Sequence, residues 1–286
     1  MANLKEIRGR ISSVSSTMQI TSAMKMVSAA KLKKAQDAIT AMRPYADKLT
    51  ELLQSLGATL EGDSGSVFAE KRDVNKVLVV AITSNRGLCG GFNSNIIKGA
   101  VKLATEDYAG KEVELVTIGK KGNDILSKRY KIIENNNAIF DDLTFENVSA
   151  VAEQLMGLYA EGAYDKIVLL YNHFKNAATQ IVTAEDFLPI VPAEFDEDVA
   201  LDYIYEPNKA EIVETLIPKS LKTQLYKAIR DSFASEHGAR MTAMHKATDN
   251  AGELKSELTL TYNKARQAAI TAEILEIVGG AEALNS

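Results

Sequence analysis

No glycine or proline falls between Ile11 and Arg43, and between Lys219 and Val278 only Gly238 and Gly252 interrupt a run of helical periodicity. Helices this long cannot be buried inside one globule of 286 residues, so each must lay its apolar seam on the other or on another chain. In the first stretch Leu4, Ile7, Ile11, Val14 and Met18 recur at 3-4-3-4 spacing, as in a coiled-coil seam. The stripe is expected to shift phase through Met24, Val27, Leu32, Ile39 and Met42, to kink at Pro44, and to resume through Leu49, Leu52, Leu53 and Leu56. One helix of about 55 residues and roughly 80 Å follows at 1.5 Å per residue. In the second stretch Leu216, Leu221, Leu225 and Ile229, then Leu254, Leu258, Tyr262, Ala265, Ala269, Ala272 and Leu275, keep helical spacing, with Pro218 expected at a helix start or kink. That span is about 75 residues, or roughly 110 Å if continuous.

Between them the texture changes. Val77-Leu78-Val79-Val80-Ala81-Ile82 reads as a buried parallel strand. A helix over Asn93–Tyr108 follows, then strand 113–118, helix 122–129, short strand 130–133, helix 144–159 and strand 166–171. The alternation predicts an α/β fold, a small doubly wound sheet, with 179–184 and 199–205 as an antiparallel edge. The domain limits are 1–57 for the first helix, 74–207 for the α/β domain and 209–286 for the last helix.

Both helices join the same middle domain, one by its C-terminal end and one by its N-terminal end, so if they pair they run antiparallel. Small residues at Ser12, Ser13, Ser15, Ser16, Ala23, Ala29 and Ala30 are expected to face Ala265, Ala268, Ala269 and Ala272 at close range. The second helix is longer by about 20 residues, an overhang of roughly 30 Å. Its tip carries Ile270, Ile274, Leu275, Ile277 and Val278, and an unpaired apolar tip implies a socket on another protein.

Charge is distributed unevenly. Residues 1–50 hold nine Lys/Arg against three Asp/Glu, residues 51–208 hold fourteen against twenty-five, and residues 209–286 are balanced. A basic arm suits an acidic partner. Nucleic acid is a poor fit, because Tyr45 is the arm's only aromatic and the whole chain is acidic at −5. The single cysteine, Cys89, excludes an internal disulfide framework, and no run is long and apolar enough to span a bilayer. No signal peptide is expected at the N-terminus.

Few motifs suggest chemistry. Asn85-Arg86-Gly87-Leu88-Cys89-Gly90-Gly91-Phe92-Asn93 joins a strand to a helix, but it has neither the Lys-Ser/Thr of a phosphate loop nor dinucleotide spacing. A closely packed glycine-rich turn explains it as well. Cys89 has no histidine beside it in sequence to activate it. His237 and His245 lie eight apart without metal-site partners and read as solvated or interfacial. The acids Asp196, Glu197, Asp198, Asp202 and Glu206 read as a charged loop. No catalytic constellation, metal site or cofactor site is expected.

Three segments carry a family resemblance. Ile20-Thr21-Ser22-Ala23-Met24-Lys25-Met26-Val27-Ser28-Ala29-Ala30-Lys31-Leu32 resembles the N-terminal signature of the gamma subunits of rotary ATP synthases, and Arg86–Asn93 resembles their middle-domain turn. Glu236, Ala239-Arg240-Met241, Ala247–Ala251 and Tyr262–Thr271 resemble their C-terminal helix. The likeness runs from residue 3 to residue 284. It implies a noncatalytic rotor shaft inside a hexamer of alpha and beta subunits, with the α/β domain against the epsilon subunit and the membrane c ring. It implies ion-driven rotation coupled to ATP synthesis or hydrolysis at the beta subunits. Membrane association would come only through the complex, at the cytoplasmic face of a bacterial inner membrane. By resemblance, Met24, Arg240, Gln267 and Thr271 are coupling or beta-contact residues and Tyr205 is the foot near the c ring; Lys25 and Lys31 add basic contacts by charge. Asn85 and Gln19 depart from the family's usual Asp and Lys. The rival reading is a coiled-coil scaffold or adaptor whose α/β domain binds a small ligand.

Overall fold

A computed structural model describes residues 4–58, 67–70, 72–190 and 209–285. The chain divides into two units: Ala29–Arg240, and the two chain ends up to Ser28 and from Met241.

In the first unit the apolar runs form a five-stranded sheet. The strands are β1 (Lys76–Ile82), β2 (Glu112–Ile118), β3 (Ile132–Asn135), β4 (Lys166–Phe174) and β5 (Gln180–Leu188), in spatial order β3-β2-β1-β4-β5. β1 pairs in parallel with β2 and β4, β2 pairs in parallel with β3, and β5 runs antiparallel at the edge. Every residue of β1 after Lys76 is buried, because the strand is covered on both faces. On one face Val77, Val79 and Ala81 meet Ile96 and Ala100 of α2 (Phe92–Lys102) and Leu126 of α3 (Lys120–Leu126). On the other Leu78, Val80 and Ile82 meet Val148, Ala152 and Leu155 of α4 (Phe145–Ala160), whose N-cap Thr144 accepts from the Asn147 amide, and Ile217, Leu221, Leu225 and Ile229 further along the chain. The β2–α3 turn requires glycine: Gly119 has φ 111°, and a Cβ there would lie 2.2 Å from the Thr83 carbonyl oxygen.

Boundaries moved in places. The helix expected over 93–108 ends as α-helix at Lys102 and closes with a π turn over Leu103–Asp107. The edge strand extends to Leu188, while the run 199–205 and Tyr205 lie outside the described residues.

The long helices are continuous: α1 is Leu4–Ala58 and α5 is Lys209–Asn285. Pro44 and Pro218 lie inside them, so Pro218 marks no helix start. Each proline forfeits one backbone bond, to the carbonyl of Thr40 or Glu214. At Pro218 the flanking Ile217 and Leu221 are buried in the core, which holds the helix on both sides of the lost bond.

In the second unit α1 and α5 pair antiparallel. Arg8 Nη2 donates to Tyr262 Oη at 2.6 Å, Lys255 Nζ to Ser15 Oγ at 3.3 Å, and the Thr21 and Thr248 hydroxyls bond at 2.8 Å. Lys25 Nζ lies 3.4 Å from His245 Nδ1. Arg8–Tyr262, Ser15–Lys255 and Lys25–His245 keep one offset and Thr21–Thr248 falls within one residue of it, which sets a single register. It puts Leu4 opposite Arg266, so no described residue of α1 stands opposite α5 beyond that point.

The register corrects two expectations. Ala268, Ala269 and Ala272 lie past the start of α1 and are exposed, so they are not the seam facing Ser12–Ser16. Nor does the α1 seam shift phase: it continues at 3-4 spacing through Thr21, Lys25, Ser28, Leu32, Ala35, Ile39 and Met42, all buried or half-buried. Met26 and Val27 are 65% and 58% exposed. Small and polar residues keep the seam because an unbroken seven-residue repeat holds one stripe inward whatever occupies it.

Candidate functional site: an arginine clamp at the strand-to-helix turn

With strand order β3-β2-β1-β4-β5, the chain reverses direction across the sheet between β1 and β4. In open α/β sheets a ligand sits outside the C-terminal ends of the strands at such a point. Here the protein itself fills the place. Cys89, Phe92 and Ala239 of α5 form a small buried cluster. Asn172 Nδ2 of β4 donates to the Phe92 carbonyl at 3.3 Å, and Ser235 Oγ of α5 donates to the Asn172 carbonyl at 3.0 Å. A Cβ on Gly238 would lie 3.1 Å from the Ala177 Cα and carbonyl oxygen, so only glycine lets α5 approach this closely without displacement.

The turn from Asn85 to Gly91 is fixed from within and from α5. Asn93 Oδ1 accepts from the Ser84 amide at 2.9 Å, and Ser84 Oγ donates to the Arg86 carbonyl at 2.6 Å. Asn85 Nδ2 donates to the Asn137 carbonyl at 2.9 Å while its Oδ1 accepts from the Lys120 amide at 3.0 Å. An aspartate could supply only the second of these bonds. At the apex Leu88 holds φ 63° with its side chain outward, 64% exposed. A left-handed leucine costs about 1–2 kcal/mol, so neighbouring bonds must hold it.

Arg240 supplies them. Its Nε and Nη2 donate to the Gly87 carbonyl at 3.3 and 3.2 Å, Nη2 also to the Arg86 carbonyl at 3.1 Å, and Nη1 to Glu236 Oε1 at 2.5 Å. Arg240 and Glu236 are each only 7% exposed. Burial pushes the Glu236 carboxyl above its usual range, against the opposing pull of Arg240, Lys31 and Arg86. Burial, reinforced by Arg240 and Lys31, pushes His237 down to about 3, so it is neutral at neutral pH. Its ring stands edge-on to Phe233 at 4.5 Å between centroids, and Nδ1 lies 3.4 Å from Arg240 Nη1. The expected solvated or interfacial His237 is therefore a core residue, 5% exposed, whereas His245 is exposed beside Asp249. Burial also pushes the Cys89 thiol up, which keeps it protonated and unreactive. No cluster of metal-ligating side chains occurs among the described residues.

The residues singled out in the sequence fall into separate groups. Met24 is half-buried on α1 and Lys25 occupies a seam position beside His245. Lys31 is exposed and acts on the charge of Glu236, while Arg240 is internal. Gln267 and Thr271 are exposed one turn apart, the Thr271 hydroxyl donating to the Gln267 carbonyl at 2.9 Å. Ile270, Ile274, Leu275, Ile277 and Val278 are all exposed. The sequence reading missed Leu88, Arg86 and His237 as parts of one assembly. The only signal for it was the glycine-rich turn itself, because the residue that clamps it lies more than 150 positions away.

The family model described as ATP synthase matches residues 3–284. The ATP synthase gamma chain of Flavobacterium johnsoniae is 72% identical over 286 residues, covering all of both chains. A chain in the structure of the central stalk and c ring of the Tetrahymena thermophila mitochondrial ATP synthase is 27% identical, with TM-score 0.60 over 80% of this chain and 99% of that one. A chain of the Euglena gracilis mitochondrial enzyme, from a structure of its OSCP, F1 and c ring, shares the fold at 22% identity, with TM-score 0.73 over 98% of this chain and 94% of that one. Continuous helices at both ends, a sheet whose ligand crevice is filled from within and a full-length match of this kind have one reading: the chain belongs to the gamma chains of ATP synthase, the family of its central stalk.

Proposed function

We propose that this gamma chain is the noncatalytic rotor shaft of its enzyme, turning with a membrane c ring and driving the beta subunits of an alpha/beta hexamer through the steps of ATP synthesis or hydrolysis. The observation that carries the reading is the end of α5. Beyond Arg266 no described α1 residue covers it, yet Ile270, Ile274, Leu275, Ile277 and Val278 stand exposed there. Such a tip suits a bearing in the hexamer. Gln267 and Thr271, at its base, are beta-contact residues in this reading.

Exposed apolar residues on α1, flanking the half-buried Met24, support a partner along that helix. Ile20 and Val27 lie two turns apart, with Met24 between them and Met26 nearby, beside Lys25 and Lys31. An apolar strip flanked by cations suits acidic loops of beta subunits. Arg240 works through the turn, its bonds to the Arg86 and Gly87 carbonyls holding Leu88 outward. Tyr205 is the foot toward the c ring, with the epsilon subunit against the α/β domain. The complex would stand at the cytoplasmic face of a bacterial inner membrane; among the described residues no helix is long and apolar enough to cross it. A ligand-binding adaptor is disfavoured by the filled crevice between β1 and β4.

Affinity capture from native membranes tests the proposal. The tagged chain should recover a nucleotide-binding hexamer, and the pure chain should not hydrolyse ATP. Recovery of the chain without a hexamer, or turnover by the pure chain, would contradict it.

A further inference from the structure

From Asp231 to Arg240 every residue of α5 except Phe233 is buried, although six of the ten are polar: Asp231, Ser232, Ser235, Glu236, His237 and Arg240. A helix buried all round is ordinarily apolar. Three of the six, Asp231, Ser235 and Arg240, tie the helix to separate elements of the α/β unit, while Glu236 and His237 meet Arg240 on the same helix. Asp231 Oδ2 lies 2.7 Å from His173 Nδ1 on β4, Ser235 reaches the Asn172 carbonyl, Gly238 seats against Ala177, and Arg240 grips the Arg86–Gly87 turn. Just before them Lys222 Nζ meets Glu153 on α4 at 2.5 Å, and Arg230 Nη2 donates to the Leu143 carbonyl at 2.9 Å.

The angular placement of these ties is what distinguishes them from ordinary packing. At 100° per residue Lys222 and Arg240 share one side of the helix, Arg230 lies about 80° round, and Asp231, Ser235 and Gly238 fall on the far side. Apolar faces allow packed helices to slide and roll by small steps. Directional bonds on opposite sides do not, since a roll that keeps one lengthens or bends another.

We infer that Asp231–Arg240 is a torsional lock that stops α5 rolling within the α/β unit, with Ser235, Gly238 and Arg240 as its main positioning residues. The inference rests on the rotor reading: torque entering the α/β unit leaves it through this helix without slack. The lock also explains why the crevice between β1 and β4 is filled rather than open.

The test uses the assembled enzyme with its hexamer fixed to a surface and a bead on Lys111→Cys, an exposed site. With the enzyme stalled, the angular variance of the bead measures torsional stiffness. Ser235→Ala should raise it about two-fold, as when a single rigid mount gains a second populated arrangement, and Gly238→Ala should raise it at least as much. The Thr259→Ala control, a hydroxyl that bonds only its own helix at Lys255, should leave it unchanged. Arg240→Lys should also raise it, because an ammonium cannot span both carbonyls and Glu236. If Gly238→Ala fails to assemble, Ser235→Ala carries the test alone, since it adds no atom. A bead that rotates under ATP with unchanged variance in Ser235→Ala overturns the lock and leaves the rotor reading intact. A stationary bead on wild-type enzyme that is hydrolysing ATP overturns both.

Discussion

At the scale of single residues, the fate of Arg240 rests on an uncommon balance. Removing one partner of a buried ion pair leaves the other charge unpaired, at a cost of about 3–5 kcal/mol. Arg240→Ala should therefore lower the unfolding midpoint sharply and release the Leu88 turn, measured by thermal melting and by proteolysis at that turn. Glu236→Gln, which leaves a neutral acceptor, should cost less. His237 gives a pH signature. Its folded pKa of about 3 lies below the usual 6.5, so the unfolded chain binds more protons between those values. The stability it contributes is complete above about pH 6.5 and falls as pH drops toward 3, at up to ~1.4 kcal/mol per pH unit. Glu236, held above its usual range, has the opposite slope over its own window, so the comparison must be against His237→Gln. That variant should show a flatter loss of denaturant midpoint between pH 6.5 and 5; parallel curves would contradict a buried neutral histidine. Neither residue's burial was legible in the sequence. In the sequence His237 reads as solvated or interfacial, and only the approach of Ala177 and the distant Arg86 turn, which no local pattern reports, makes its stretch of α5 interior.

At the scale of elements, the sequence was most informative where one period persisted. The α/β alternation, the parallel order and both long helices follow from apolar runs and repeat spacing, because burial on one face or two leaves a direct mark on residue choice. The seam was misread where polarity and geometry disagree. Met24 and Val27 look like seam residues and Thr21 and Ser28 do not, yet the seven-residue repeat keeps the latter inward. Val27 is turned outward with Ile20 and Met26, and exposed apolar residues on one helix await a partner. Register was also beyond the sequence, as nothing local says which residue of α5 faces Ser15. A double-mutant cycle on Thr21→Val and Thr248→Val should give a coupling energy of about 0.5–1.5 kcal/mol, the range for a hydrogen-bonded pair in contact. A cycle pairing Thr21→Val with Thr261→Val, well removed along the helix, should give none within error. Zero coupling for the first pair would refute the register.

At the scale of the whole molecule, α5 carries both an uncovered apolar end and the lock in the α/β unit, one for seating and one for transmission. Deleting residues 275–286 removes Leu275, Ile277 and Val278 and should loosen seating, lowering stall torque while ATP hydrolysis persists. Undiminished torque would count against the bearing. Charge reversal at Lys25 should lower ATP-driven ion pumping more than it lowers assembly, measured on purified complexes in vesicles. Cys89 is buried with its thiol pushed up, so one introduced cysteine on the α/β surface can be labelled selectively. A bead attached at Lys111→Cys of the surface-fixed complex gives the most direct measurement. The bead should turn continuously in one direction while ATP is hydrolysed, and a bead that stays still during sustained hydrolysis would rule out a rotor.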